Sequence, residues 1–356
     1  MFWFAVLIPI SFILVSLAKA SPQAVEDLYS LGVYRYISQP LSKITGVAFL
    51  SLGELLFYTF IAWVVLKLFA LARALFLKNK ELLSKTIAQM IAALSILLFL
   101  FVMLWGLNYY RMPLSQFANL DTEDHTAEDL RKLCNYLIKE ANSYRDKIKE
   151  DSGGVMKLSQ NKNITISRAH LGYESISSQY PMLEGNYGKP KIVLGSKLMS
   201  YAGIAGIFFP FTIEANVNGD LPEVTLPSTI AHEMAHQRGY AREDEANFIS
   251  FLACMASPDI EYKYSGTILA LIHSINALHG VDKDKALELA EEYNPGLERD
   301  LADINAYWKK FEGPIERTST RLNNTYLKAN NQKDGVKSYG RMVDLLLSYY
   351  KSKILD

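Results

Sequence analysis

Residues 227–257 read PSTIAHEMAHQRGYAREDEANFISFLACMAS, and this stretch decides the reading of the whole chain. His232 and His236 are four apart, so on a helix both imidazoles lie on one face and reach one metal ion. Glu233 follows His232 and projects about 100° further round the helix. From there it stands beside the metal without binding it, where a base takes a proton from an attacking water. Ser228 or Thr229 is expected to cap the helix, with Pro227 just before it. The neighbours Ile230, Ala231, Met234 and Ala235 are small or apolar, which suits a helix packed inside a domain. Gly239, three residues after His236, allows a sharp turn, and a second helical run begins near Arg242.

Catalytic zinc takes three protein ligands and keeps a fourth position open. Glu243, Asp244 and Glu245 compete to be the third. Glu243-Asp244-Glu245-Ala246-Asn247 resembles the second motif of gluzincins, a likeness covering about 25 residues with the His-Glu-x-x-His segment. That resemblance implies Glu243 as the third ligand to Zn2+, with Asn247 on the same face accepting a hydrogen bond from a ligating histidine. Glu245 is the fallback, roughly 200° away, so a regular helix cannot offer both. The gap from His236 to Glu243 is short for a gluzincin. Metzincins also carry the glycine, but Arg242 stands where their third ligand would be.

Upstream, Phe211 to Val217 reads as a strand. An edge strand here would pair with a substrate backbone, with Ile213, Ala215 and Val217 as the contact residues. If the aromatic run Phe208 to Phe211 covers the cleft, the site is latent and needs activation. Tyr264, His273, Tyr339 and Arg341 are candidate donors to a developing oxyanion, with no choice among them.

Working outward, the first 110 residues are poor in charge and hold three apolar runs. Phe2 to Ala18 reads as an uncleaved membrane helix: Ala18-Lys19-Ala20 has the form of a cleavage site, but no Lys or Arg precedes the run. Leu55 to Leu77 contains Lys67, whose stem is expected to snorkel to the interface. Ile87 to Leu107 carries no charge and is long enough to cross about 30 Å of hydrocarbon. Trp105, Tyr109 and Tyr110 sit where an aromatic belt belongs. Arg73, Lys78, Lys80 and Lys85 place the connecting loop in the cytoplasm and everything after residue 110 outside it. Ser21 to Ser51 reads as a loop or re-entrant piece.

The remainder, 111–356, reads as a mainly helical α+β, zincin-like ectodomain. Thr126 and Asp129 form a capping-box variant, opening an amphipathic helix of about 24 residues. Short β-leaning runs (Ile164 to Ile166, Lys191 to Leu194, Phe211 to Val217) promise a small sheet. Cys134 and Cys254 fall in apolar helical patterns and read as buried thiols. Net charge is zero, without the clustered positive charge of a nucleic-acid binder.

The chain also resembles, almost end to end, a bacterial membrane family catalogued as domain-of-unknown-function family 3810. The likeness runs through Tyr29-Ser30-x-Gly32-x-Tyr34, Ser51-Leu52-Gly53-Glu54, Phe209-Pro210-Phe211-Thr212-x-Glu214-Ala215-Asn216-Val217-Asn218, the zinc segment, and Tyr326-Leu327-Lys328-x-Asn330. It implies a bacterial, multi-pass membrane protein but no activity. The expectation is therefore a zinc metallopeptidase, with Glu233 as base, a protein or peptide substrate and the lipid bilayer as partners. The rival is a membrane-anchored binding or scaffold protein with a structural zinc.

Overall fold

The computed structural model describes residues 2–118, 120, 125–332 and 341–351. A short 3-10 turn leads into α1 (Leu7–Ala20), and the chain continues through α2 (Tyr34–Gly46), α3 (Leu52–Phe76) and α4 (Lys80–Leu104). Three stretches, Trp3–Ala20, Leu52–Phe76 and Lys80–Leu104, are long and apolar enough to cross a bilayer, which is compatible with a membrane anchor. Both later helices start before their apolar runs, because polar caps recruit the residues in front. Ser51 Oγ accepts from Glu54 N at 2.9 Å, and Asn79 Oδ1 from Leu82 N at 2.9 Å. Lys67 does not rely on snorkelling alone: its Nζ donates to Gln89 Oε1 of α4 at 2.7 Å.

Ser21 to Ser51 is not a loop. It forms a π-helical stretch, Val25–Val33, followed by α2. The buried face of α2 is polar: Tyr34, Ser38, Ser42 and Thr45 point into the protein. Ser42 Oγ accepts from Gly188 N and Gln237 Nε2, and Thr45 Oγ1 donates to the Thr212 carbonyl at 2.9 Å. A boundary at residue 110 is therefore no packing boundary. Glu26 and Arg111 form a buried ion pair across it, and Tyr34 OH donates to the Gln237 carbonyl.

The remaining elements used below are α5 (Ala127–Arg145), α6 (Lys162–Arg168), β1 (Lys191–Ile192), β2 (Gly206–Phe209), β3 (Glu214–Val217), α7 (Leu226–Gln237), α8 (Glu243–Ala256), α9 (Ile260–Val281), α10 (Pro314–Ala329) and α11 (Met342–Tyr350). The capping box of α5 forms as expected, and the helix runs 19 residues, shorter than its apolar period suggested. Ile164 to Ile166 lies in α6, where Asn161 Oδ1 accepts from Ile164 N; a local cap outweighs β-branched propensity. The sheet has order β1-β3-β2, with β1 parallel and β2 antiparallel to β3. The main core joins α5, α7, α8, α9 and α11. Cys134 and Cys254 are buried in it as free thiols. A second cluster, with Tyr34, Trp105, Phe208 and Ile213, joins the apolar helices to the sheet.

Candidate metal centre

α7 starts one residue before Pro227, which occupies the first turn. Neither Ser228 nor Thr229 caps it: both hydroxyls donate back to the Thr225 carbonyl, at 3.1 and 2.9 Å. The His232 and His236 rings are perpendicular, with centroids 4.6 Å apart. Gly239, at φ 83°, reverses the chain after α7 and its N–H donates to the His236 carbonyl. Glu243 then opens α8 directly over the two rings. Its Oε2 lies 3.2 Å from His232 Nε2 and 3.7 Å from His236 Nε2. Among the described residues, His232, His236 and Glu243 form the cluster with metal-ligand geometry, one donor atom from each lying within 4.8 Å of the others.

The far side of each ring is fixed as well. His232 Nδ1 lies 2.8 Å from Asn247 Oδ1, and His236 Nδ1 lies 2.7 Å from the Tyr240 carbonyl. A carbonyl oxygen only accepts, so each Nδ1 donates, and each Nε2 is turned toward Glu243. Asn247 thus occupies the place the gluzincin likeness gave it. Glu245 points elsewhere: its carboxylate accepts from Leu114 N at 2.8 Å and pairs with Arg242 at 3.3 Å. Asp244 faces Arg341, 3.2 Å away.

The charges in the site are strongly coupled. Burial opposes ionisation of Glu243, but hydrogen bonds from His232 and His236 overcome it and hold the carboxyl far below its usual range. Burial alone would lower His236; the Glu243 carboxylate outweighs it and brings the ring up to about 9. Without a cation, the proton on His236 neutralises Glu243, and a divalent ion would replace it. Burial pushes Glu233 up to about 7; the two histidines oppose the rise and Glu243 adds to it. Glu233 is 4% exposed, and its Oε2 has no hydrogen-bond partner. Gly206 of β2 presses on this carboxylate: a Cβ there would sit 2.4 Å from Oε1.

A cleft of about 1180 Å³ runs past His232, Glu233, His236 and Glu243. Its strand is β2 and not β3. β3 is the central strand, paired on both sides, and Ile213, Ala215 and Val217 are fully buried. They cannot meet a substrate. Of the two edge strands, β2 is the one that lines the cleft, and Ile207 there is 45% exposed. Phe208 to Phe211 line the cleft, with Phe208 packed on Trp105 at 4.5 Å. Trp105 in turn packs edge-on against His236.

Of the donor candidates, Tyr264 OH is committed to Asp300 at 2.7 Å within the core. His273 does not line the cleft, and burial lowers it to about 4. Arg341 is held by Asp244, and Tyr339 lies outside the described residues. The phenols that do line the cleft are Tyr109 and Tyr326, whose hydroxyls are 2.9 Å apart. Burial raises both, Tyr326 to about 12, so both remain protonated donors near neutrality. The aromatic-belt reading of Tyr109 and the terminal likeness around Tyr326 were their separate traces in the sequence.

No curated protein and no solved structure matches the chain. A family model described as "Protein of unknown function (DUF3810)" matches residues 29–347, and the chain belongs to that family.

Proposed function

We propose that the protein is a membrane-anchored zinc-dependent metallopeptidase. The observation that carries this reading is the meeting of His232, His236 and Glu243, with both Nδ1 atoms held from behind, beside a buried and unpartnered Glu233 oxygen. Two imidazole nitrogens and one carboxylate suit Zn2+, and an open cleft on the fourth side suits a catalytic rather than a structural site. When bound, the ion would polarise the scissile carbonyl and acidify water. The chain's own groups do the rest. Glu233 Oε2 takes the proton of the attacking water and delivers it to the leaving amine; a carboxyl brought to about 7 by burial is matched to both steps. Tyr326 offers its O–H to the developing negative charge while accepting the O–H of Tyr109. The free edge of β2 aligns an extended peptide across the base.

Arg73, Lys78, Lys80 and Lys85, at and around the turn between α3 and α4, support a location of the centre on the outer side of a bacterial membrane. The test is zinc content and peptide hydrolysis by the full chain beside Glu233→Gln. About one zinc per chain in both, with hydrolysis lost in the variant, supports the reading. Wild-type protein that takes up no zinc under zinc-replete conditions refutes it. A zinc-loaded wild type no more active than Glu233→Gln makes the ion structural.

A further inference from the structure

The cleft reaches down to the apolar helices. Its floor is Phe57 of α3 with Phe101 and Trp105 at the end of α4. Phe57 is five residues inside α3 and Phe101 three inside α4. At helical rise the floor lies about 4 to 8 Å below the site-side ends of these helices. Opposite β2 stands α10, whose Ile315, Leu322 and Tyr326 share one helical face and line the cleft. Arg317, Arg321 and Lys328 share the other face.

α2 has its polarity reversed. Ser38, Ser42 and Thr45 are buried, while Tyr36, Ile37 and Ile44 are exposed. Val47 and Phe49 follow, 87% and 90% exposed. A helix in water does not present its apolar face outward and bury its hydroxyls. One lying in the acyl boundary does. This face runs on, through Leu50, into the exposed apolar surface of α3 at Leu55 and Leu56. That continuity identifies the occupant as the bilayer that α3 crosses.

We infer that α2 and the Val47–Leu50 turn lie in the outer leaflet, and that the cleft takes apolar segments of membrane-inserted polypeptides next to where they leave the bilayer. This rests on the peptidase reading above. The reaction needs only water, which adds across the peptide C–N bond to give a carboxylate and an amine. A cleft floor at this level puts the scissile bond within roughly ten extended residues of the substrate's membrane span.

The experiment uses the full chain in liposomes, loaded with zinc. The probes are the total membrane proteins of a bacterium, co-reconstituted, and its soluble proteins added outside. New N-termini are mapped by mass spectrometry beside Glu233→Gln. The expected result is Glu233-dependent ends clustered within about ten residues of membrane spans, at least tenfold over the soluble fraction. An Ile37→Asp/Ile44→Asp double variant that keeps its zinc should lose most of that cutting. Equal cutting of soluble proteins, sites far from membrane spans, or full activity in the zinc-loaded double variant overturns this inference and leaves the peptidase reading standing. No Glu233-dependent ends in either fraction overturns both.

Discussion

Replacing Asn247 by Ala separates a metal centre from a chance pairing of histidines. Asn247 Oδ1 accepts the Nδ1 proton of His232 at 2.8 Å, and Asn247 Nδ2 has no partner of its own. Truncation therefore breaks one hydrogen bond and strands nothing on the amide side. The ring loses the contact that fixes its tautomer and aims Nε2 at Glu243. Loss of such an outer contact costs about 10 to 100-fold in metal affinity, equivalent to about 1.4 to 2.8 kcal/mol. The assay is competition for zinc between the full chain and a chromogenic chelator at one fixed pH. Asn247→Asp is the companion: a charged acceptor keeps the bond and makes the ring more basic, so affinity should match or exceed wild type. An Ala variant within twofold of wild type, or an Asp variant weaker than the Ala one, would refute the assignment of Asn247.

Glu243→Ala should abolish stoichiometric zinc binding, since it removes a ligand. Glu245→Ala should keep the zinc but lower the melting temperature, because Leu114 N and Arg242 lose their buried acceptor at about 1 to 3 kcal/mol; the reverse pattern in metal analysis would exchange the two roles. Gly206→Ala drives a methyl group into Glu233 and displaces the base, so hydrolysis should fall by about 100 to 10,000-fold at unchanged zinc content; near-normal turnover would show that this carboxylate position is not the working one. Zinc affinity should rise with pH by about tenfold per unit from neutrality and level off near 9, because the ion must expel the proton that Glu243 holds on His236. The His236–Glu243 pair of the metal-free protein runs the other way: its contribution to stability is complete below the ordinary histidine range and disappears as pH climbs through about 9. A flat zinc-binding profile over that range would contradict both.

What the sequence made legible was local. His232, Glu233 and His236 could be placed because helical spacing alone determines which side chains share a face, while Asn247 came from the likeness to the gluzincin motif. The same arithmetic kept Glu243 and Glu245 apart, and the structure brings the first to the histidines. The strand reading failed where the answer depended on partners. Edge or centre is a property of which strands lie alongside, and β2 and β3 are joined by a tight turn in which Ile213 adopts φ 52°. Phe211 to Val217 consequently read as one long strand. α2 was missed because its helical period is written in buried hydroxyls and exposed aliphatics, the inverse of the usual pattern. Tyr109 and Tyr326 stand 217 residues apart in sequence, and only the fold brings their hydroxyls together.

The N-terminal segments also brace the candidate site, and the buried Glu26–Arg111 pair shows how. Both side chains are 1% exposed. A buried ion pair gains little net stability over an apolar replacement, so its value lies in fixing one arrangement. What it fixes here is the turn between the site helices. Arg111 Nη1 donates to the Gly239 carbonyl at 3.1 Å, and its guanidinium lies 4.0 Å from the centre of the Tyr240 ring. The Tyr240 carbonyl is the acceptor that orients His236. From the other side, Trp105 packs on the His236 ring, and Tyr34 donates to the carbonyl of Gln237, the next residue. Each of these contacts comes from the first 111 residues and ends on a ligand or on the backbone that aims it. The turn that aims the candidate ligands is therefore braced by the segments that follow α1 and α4, and the centre sits near the ends of those apolar helices.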